Sequence, residues 1–106
     1  MGSVIEGKPV RLICGTINTH KSADNLAAIV TNKFGLDPYD GGYFAFCGKS
    51  REYIRYIRWD GGGFQMTIRQ RERGLYVWPP ARMGAIVTVT AEEFEFILSG
   101  SNAEKI

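Results

Sequence analysis

The residues of this sequence best suited to chemistry are arginines interleaved with aromatic side chains in the middle third of the chain. Residues 53–59 are Tyr-Ile-Arg-Tyr-Ile-Arg-Trp, and residues 69–73 are Arg-Gln-Arg-Glu-Arg. Guanidinium groups bind phosphates through paired N–H donors, and exposed aromatic rings stack on unpaired bases. Residues 48–82 hold eight basic and three acidic residues, a net charge of +5, whereas residues 83–106 carry −3. This pattern predicts a surface that binds a polyanion or an acidic protein.

Six basic residues are expected at one end of a β-hairpin. If residues 53–59 and 64–70 are antiparallel strands joined through Asp60-Gly61-Gly62-Gly63, the end of the second strand returns to the start of the first. The predicted nucleic-acid-binding residues are therefore Lys49, Arg51, Arg55, Arg69, Arg71 and Arg73.

The aromatic residues also have a plainer interpretation, in which they fill the core and the arginines are their solvated neighbours. We favour this interpretation for Trp59, Phe64 and Trp78. In this interpretation the residues of the hairpin tip form the turn and part of the core. The surface that contacts a partner then lies at the arginine-rich ends of the strands.

Groups that could catalyse a reaction are sparse. Cys14 and Cys47 stand alone, and His20 is the single histidine, so neither a cysteine nucleophile with its base nor a zinc site is indicated. We interpret the two cysteines as buried or semi-buried free thiols in a reducing compartment. The glycines at 61–63 lack the Lys-Ser/Thr of a phosphate-binding loop and precede a strand, which favours a hairpin turn.

Three carboxylates could hold metal ions in a nuclease, but each lies where a turn or strand end favours an acidic residue. They are Asp40, Asp60 and Glu72. The sequence therefore predicts a protein that is not an enzyme and has no cofactor or metal.

The segments that hold these residues have sequence patterns that predict an α+β fold. The expected architecture is a small antiparallel β-meander of about five to six strands with an N-terminal helix and a short C-terminal helix. Residues 23–34 have helical apolar spacing between Ser22 and Gly35, and the capping box Thr90–Glu93 precedes a helix over 91–98. The expected strands are 9–14 (ended by Gly15), 43–47, 53–59, 64–70, 75–78 and 86–89.

We expect a single domain over residues 1–106, with 1–8 and 101–106 as loose ends. The composition is that of a globular protein, with 44% apolar and 23% charged residues. No apolar run approaches the ~18 residues of a membrane helix, and no signal peptide is evident, so we expect a cytoplasmic protein with no membrane partner.

The chain also resembles a known family from about Leu12 to Gly100. The order and spacing of the matching residues make the resemblance specific. They are Cys14-Gly15, Lys21, Asp24, Leu26 to Val30, Leu36 to Tyr39, Phe44 to Gly48, Trp59 to Phe64, Arg71-Glu72, Gly74, Trp78-Pro79, Thr90 to Phe94, Leu98 and Gly100.

These residues resemble the TnpB accessory protein of insertion sequence 66-type bacterial transposable elements, which differs from the RNA-guided nuclease of the same name. The chain departs from the family pattern at residues 17–21, where an acid and an arginine are missing, and at Tyr53 and Gln70, which replace basic residues. Basic character survives at Arg55 and Arg71.

The resemblance implies a bacterial, non-catalytic role in transposition beside a separate, larger transposase. DNA bound through the basic surface is the expected partner. The alternative is a protein-interaction module that docks on the transposase or another element-encoded subunit without contacting DNA.

Overall fold

The computed structural model describes residues 8–18 and 21–99, and this part of the chain folds as an α+β structure. The predictions for residues 1–7, for His20 and for residues 100–106 lie outside the described residues. The elements in chain order are β1 Val10–Ile17, α1 Ala23–Phe34, β2 Tyr43–Gly48, β3 Tyr53–Trp59, β4 Phe64–Gln70, a 3-10 turn Ala81–Met83, β5 Ile86–Val89 and α2 Ala91–Ser99.

The five strands form one mixed sheet in the order β4-β3-β2-β1-β5. Strands β2, β3 and β4 are an antiparallel meander, as expected, and β5 pairs antiparallel with β1. The prediction of a wholly antiparallel sheet is wrong, because β1 and β2 are parallel. Helix α1 and its flanking loops supply the long crossover that a parallel pair requires.

Helix α1 begins and ends where the sequence predicted. The Ser22 side chain accepts a hydrogen bond from the backbone N–H of Asn25 at 3.2 Å. Gly35 ends the helix in the left-handed conformation (φ +67°), and its N–H donates to the Thr31 carbonyl. Glycine adopts that conformation without the strain a side chain would bring.

Each face of the sheet carries its own apolar cluster. One face, here called the α1 face, packs on Leu26, Ala27 and Val30 of α1. The opposite face, here called the α2 face, packs on Phe94 and Leu98 of α2. Because side chains alternate along a strand, neighbouring residues of β3 and β4 point to different clusters.

Residues 75–78 do not form the strand predicted for them. The segment is extended and lies against the α2 face, with Tyr76 and Trp78 buried and Leu75 and Val77 exposed. The Tyr76 N–H donates to the Arg51 carbonyl at 2.8 Å. An extended segment laid on a sheet alternates in burial as a strand does, so the pattern does not distinguish the two.

Strand β1 continues past Gly15, which was expected to end it. Its pairing with β2 shifts register between Leu12 and Thr16, as at a β-bulge. Within the bulge Gly15 has φ +80°, and its N–H donates to the Pro79 carbonyl at 2.8 Å. A Cβ at Gly15 would lie 3.2 Å from the Cβ of Ala81, and together with the positive φ this tight contact favours glycine.

The predicted capping box of α2 is confirmed. The Thr90 N–H donates to the Glu93 carboxylate at 2.8 Å, and the Glu93 N–H donates to the Thr90 hydroxyl at 3.0 Å. Val89 packs against the cluster that contains Phe94, as expected for a hydrophobic staple. No helix in the described ranges is long and apolar enough to cross a membrane.

Candidate nucleic-acid interface

The tip of the β3–β4 hairpin is built by Asp60, as the turn interpretation predicted. Its carboxylate accepts hydrogen bonds from the backbone N–H groups of Gly62 at 2.9 Å and Gly63 at 3.0 Å. The second oxygen accepts from the Gln65 amide at 3.0 Å. The two backbone hydrogen bonds are the main cause that lowers the pKa of the Asp60 carboxyl. The side chain therefore serves the turn.

The aromatic residues beside this tip are less buried than the core interpretation predicted. Trp78 is a core residue, 7% exposed. Trp59 and Phe64 are half-buried, with ring centroids 5.0 Å apart. Tyr39, which is 56% exposed, contacts both, at 5.0 Å from Trp59 and 5.4 Å from Phe64. We call Tyr39, Trp59 and Phe64 the aromatic cluster.

Strand register brings the six predicted basic residues to the opposite end of the hairpin but divides them between two faces. Arg55 pairs with Ile68 and Phe46, so it lies on the α1 face. Arg69 pairs with Ile54, whose side chain belongs to the α2 cluster. Lys49 and Arg51 lie in the β2–β3 turn, and both are exposed.

Three arginines share a groove on the α2 face. The Arg71 N–H donates to the Glu52 carbonyl at 2.8 Å, which continues the β3–β4 pairing and keeps Arg71 on the same face as Arg69. The groove has a volume of about 270 Å³. We call it the arginine groove, and its lining residues are Arg69, Gln70, Arg71, Glu72, Arg73, Tyr76, Leu98 and Ser99.

The positive charge of the arginine groove is largely uncompensated. None of its arginines forms an ion pair with another described residue, and Glu72 is the one acidic residue among the described lining. The Arg71 guanidinium lies 6.0 Å from the Tyr76 ring centroid, and its Nε donates to the Arg73 carbonyl. Burial raises the pKa of Tyr76, and the charges of Arg69 and Arg71 oppose that rise.

Arg71 also presents an unused donor. Its Nη1 is buried and has no hydrogen-bond partner among the described residues. A buried unpaired donor is unfavourable, so an anionic oxygen in the groove would be stabilised by it.

Two of the three carboxylates considered as metal ligands, Asp40 and Asp60, are engaged in other contacts. Asp40 forms a two-point ion pair with Arg11, with both N–O distances 2.9 Å, and also accepts from the Gly42 N–H. The Arg11 hydrogen bond is the largest cause that lowers the pKa of Asp40. Across residues 8–18 and 21–99, no group of three or more His, Cys, Asp or Glu side chains could hold a metal ion.

Both cysteines are buried free thiols, as predicted. Burial raises the pKa of Cys14, and burial, opposed by the charge of Arg51, raises the pKa of Cys47 to about 12. Both thiols are thereby disfavoured as thiolate nucleophiles.

A second concave site, which the sequence did not indicate, is a cavity of about 600 Å³ lined by the carboxyl-terminal half of β1, the end of α1, the β2–β3 turn and residues 78–81. We call it the β1–β2 cavity. Its lining includes Cys14, Thr16, Lys33, Arg51 and Trp78. Gly15, which the sequence analysis expected to end a strand, and Pro79-Pro80 help to form it, and the Gly15 N–H within the bulge of β1 donates to the Pro79 carbonyl.

A five-stranded mixed sheet with a helix on each face and a basic groove at one hairpin end defines a small α+β protein. The sequence model for the IS66 Orf2-like protein matches residues 8–106, and the chain belongs to that family. The resemblance drawn from the sequence is thus confirmed, and it associates the chain with an accessory role in transposition.

Two relatives from Sinorhizobium fredii (strain NBRC 101917 / NGR234) are also similar to this chain. Uncharacterized protein y4jC is 31% identical over 79% of this chain and 71% of its own length. Uncharacterized protein y4hO is 33% identical over 89% of this chain and 83% of its own length. No solved structure gives a significant match.

Proposed function

We propose that the protein is a non-catalytic accessory factor that assists transposition by binding the DNA backbone through the arginine groove. The observation that carries this proposal is the convergence of Arg69, Arg71 and Arg73 on one concave surface, where none of them forms an ion pair with a described residue. Guanidinium groups bind phosphate oxygens in pairs, and the buried Nη1 of Arg71 has no hydrogen-bond partner among the described residues.

The proposal narrows the contact surface expected from the sequence. The main phosphate contacts come from Arg69, Arg71 and Arg73. Lys49 adds a further contact from the exposed turn that precedes Glu52. Arg55 lies on the α1 face, so it would contact a strand that passes around the sheet edge.

Fluorescence anisotropy with a labelled duplex from an element end tests the proposal. The variant Arg69→Gln/Arg71→Gln/Arg73→Gln removes three cations that would bind phosphate, so we expect its affinity at 50 mM salt to fall at least tenfold. The slope of log K against log salt should flatten by roughly one unit for each arginine replaced.

The matched control changes net charge equally at other described positions, Lys8→Gln/Lys21→Gln/Arg82→Gln. It should bind within twofold of the unmodified protein. Equal reductions in affinity in the two variants would show that overall charge, and not the groove, binds DNA. A failure of the unmodified protein to bind at 50 mM salt would refute direct DNA binding.

A second candidate function is docking on the transposase or another element-encoded subunit, and the aromatic cluster favours it. Exposed aromatic residues are enriched at the energetic centres of protein interfaces. The cluster lies at the hairpin tip, and seven-residue strands put it about 20 Å from the arginine groove. Co-purification with transposase that survives nuclease and high salt, and that Tyr39→Ala abolishes, would support docking over DNA binding.

A further inference from the structure

The β1–β2 cavity is about twice the volume of the arginine groove, and DNA binding as proposed above does not use it. Its volume of about 600 Å³ is within the range of small-molecule sites, which is about 300–1,000 Å³. It therefore has room for a ligand of its own.

The cavity lies where ligand sites form in sheets with parallel strands. Strands β1 and β2 run parallel and stay paired up to Ile17 and Gly48 at their carboxyl ends, and within the bulge of β1 the Gly15 N–H donates to the Pro79 carbonyl. The chain leaves β1 for α1 on one face, whereas it leaves β2 through a tight turn into β3. Crevices beside the carboxyl ends of parallel strands are common ligand sites in α/β sheets.

The walls of the cavity are apolar and partly flat, and its charge is all of one sign. Phe34, Trp78 and the rings of Pro79 and Pro80 contribute to the wall. Two cations reach it from separate elements, Lys33 from the last turn of α1 and Arg51 from the β2–β3 turn. The described lining contains no acidic residue, and neither cation forms an ion pair with a described residue. Such walls suit a flat apolar body that carries an acidic group.

Arg51 occupies its place at a conformational cost. It is the one described residue other than glycine with a positive φ, at +61°. A glycine would adopt this conformation without strain. The Arg51 side chain makes few contacts within the protein that would offset this strain. Its Nη1 has one hydrogen bond, to the Tyr76 carbonyl at 3.5 Å, which is long. Strain of this kind is concentrated at functional sites.

We infer that the β1–β2 cavity binds a single nucleotide, with the base against the apolar wall and the phosphate between Lys33 and Arg51. A phosphate monoester carries nearly two negative charges at neutral pH, which matches the two cations. The nucleotide is either free or the unpaired terminal residue of a DNA strand. The site stands whether or not the arginine groove binds DNA, because the two share no described lining residue.

Tryptophan fluorescence gives a direct test, since Trp78 lines the cavity and the chain has one other tryptophan, Trp59. In a Trp59→Phe background, titration with deoxyadenosine 5′-monophosphate should change Trp78 emission and saturate. Deoxyadenosine, which lacks the phosphate, should bind at least tenfold more weakly. No saturable change with the monophosphate or with the overhang duplex described below would overturn the inference.

Variants locate the binding. Lys33→Gln and Arg51→Gln should each weaken the monophosphate at least fivefold, whereas Lys49→Gln, a cation of the same turn that does not line the cavity, should not. Arg51→Gly also removes the cation while it relieves the strained φ, so loss of binding in this variant does not reflect misfolding. Ala81→Phe should block the cavity without changing charge. Binding that survives Arg51→Gly and Ala81→Phe would contradict the inference.

The two sources of the nucleotide are separated with DNA. A duplex with one unpaired, 5′-phosphorylated terminal nucleotide is compared with the blunt duplex in the Arg69→Gln/Arg71→Gln/Arg73→Gln protein, which lacks the groove cations. Binding of the free monophosphate assigns the site to free nucleotides. Binding of the overhang duplex alone, abolished by Arg51→Gly, assigns it to strand ends. If this triple variant still binds the monophosphate, the nucleotide site in the β1–β2 cavity is supported even when the arginine groove does not bind DNA.

Discussion

Trp78 connects two parts of the chain through one side chain. Its ring is buried among residues of the α2 face, and its indole N–H donates to the Ile13 carbonyl at 2.8 Å. Ile13 lies next to the bulge of β1, so this bond ties the extended segment 75–78 to the strand that borders the cavity. The aromatic character of Trp78 was evident from the sequence, but its partner, 65 residues away, was not.

We predict that Trp78→Phe destabilises the protein by about 1–3 kcal/mol, because a buried carbonyl loses its donor while most of the ring remains. Urea unfolding followed by circular dichroism measures this change. Val77→Ala, at an exposed neighbour in the same segment, is the control and should lie within about 0.5 kcal/mol of the unmodified protein. A Trp78→Phe value as small as the control would mean that the bond contributes nothing.

The ionisation of Asp40 should make the free energy of unfolding depend on pH. Its pKa is lowered in the folded protein, chiefly by Arg11, so its contribution is present above the unfolded pKa and is lost as pH falls through the lower folded pKa. The pair is partly exposed, so we expect Asp40→Asn to cost at most about 1 kcal/mol at pH 7. The difference from the unmodified protein should therefore shrink as the pH falls below the ordinary pKa of an aspartate and through the lower folded pKa.

A double-mutant cycle with Arg11→Met and Asp40→Asn isolates this pair at pH 7. The coupling energy should disappear on acidification, since protonation of Asp40 breaks the ion pair. A coupling that does not weaken as the pH is lowered through the titration of Asp40 would contradict the assignment of the acid-labile stability to Arg11 and Asp40.

At the scale of elements, features encoded by neighbouring residues were predicted and those that depend on distant contacts were not. Helix α1 with its Ser22 and Gly35 caps, and strands β3 and β4, have the bounds that the sequence indicated. The parallel pairing of β1 with β2 escaped prediction, because nothing local specifies which strand lies beside another after a helical crossover. Segment 75–78 was misassigned for a related reason, since its alternation fits both a strand and a covering segment.

The arginine groove shows the same division between local and non-local information. The hairpin and its turn correctly predicted that residues 69–73 return towards residues 49–52. Register then put Arg55 and Arg69 on opposite faces, an offset fixed by the length of the Asp60–Gly63 turn. The lining from Tyr76 and Leu98 comes from segments whose packing on the sheet the sequence did not specify.

The capping box of helix α2 should contribute measurably to the stability of the protein. Thr90→Ala removes the hydroxyl that accepts the Glu93 N–H, so we expect a decrease of about 1 kcal/mol in the free energy of unfolding. Glu92→Gln changes a neighbouring exposed residue outside the capping box and should have a much smaller effect. Chemical denaturation of both variants measures the difference, and equal effects would argue against the capping box as the stabilising feature.

At the scale of the molecule, the sheet separates the features on its two faces. The arginine groove lies on the α2 face, Arg55 lies on the α1 face, and the β1–β2 cavity lies at the strand ends between them. The two cysteine thiols differ in how deeply they are buried in this fold. Cys14 lines the cavity and is 8% exposed, whereas Cys47 is fully buried on the α2 face.

We therefore predict that the thiols react at different rates with an aromatic disulfide reagent. In a Cys14→Ala protein, Cys47 should react only as fast as the whole structure opens. Its pKa of about 12 leaves roughly one thiolate in ten thousand at pH 8 even apart from burial.

In a Cys47→Ala protein, Cys14 should react at least tenfold faster, through local opening at the cavity, and deoxyadenosine 5′-monophosphate should slow it. Destabilising the core with Trp78→Phe should accelerate the labelling of Cys47 about tenfold for each 1.4 kcal/mol lost from the free energy of unfolding, since this labelling requires global opening. Labelling of Cys47 at the rate of Cys14, unaffected by that substitution, would show that the α2 face opens independently of the rest of the fold.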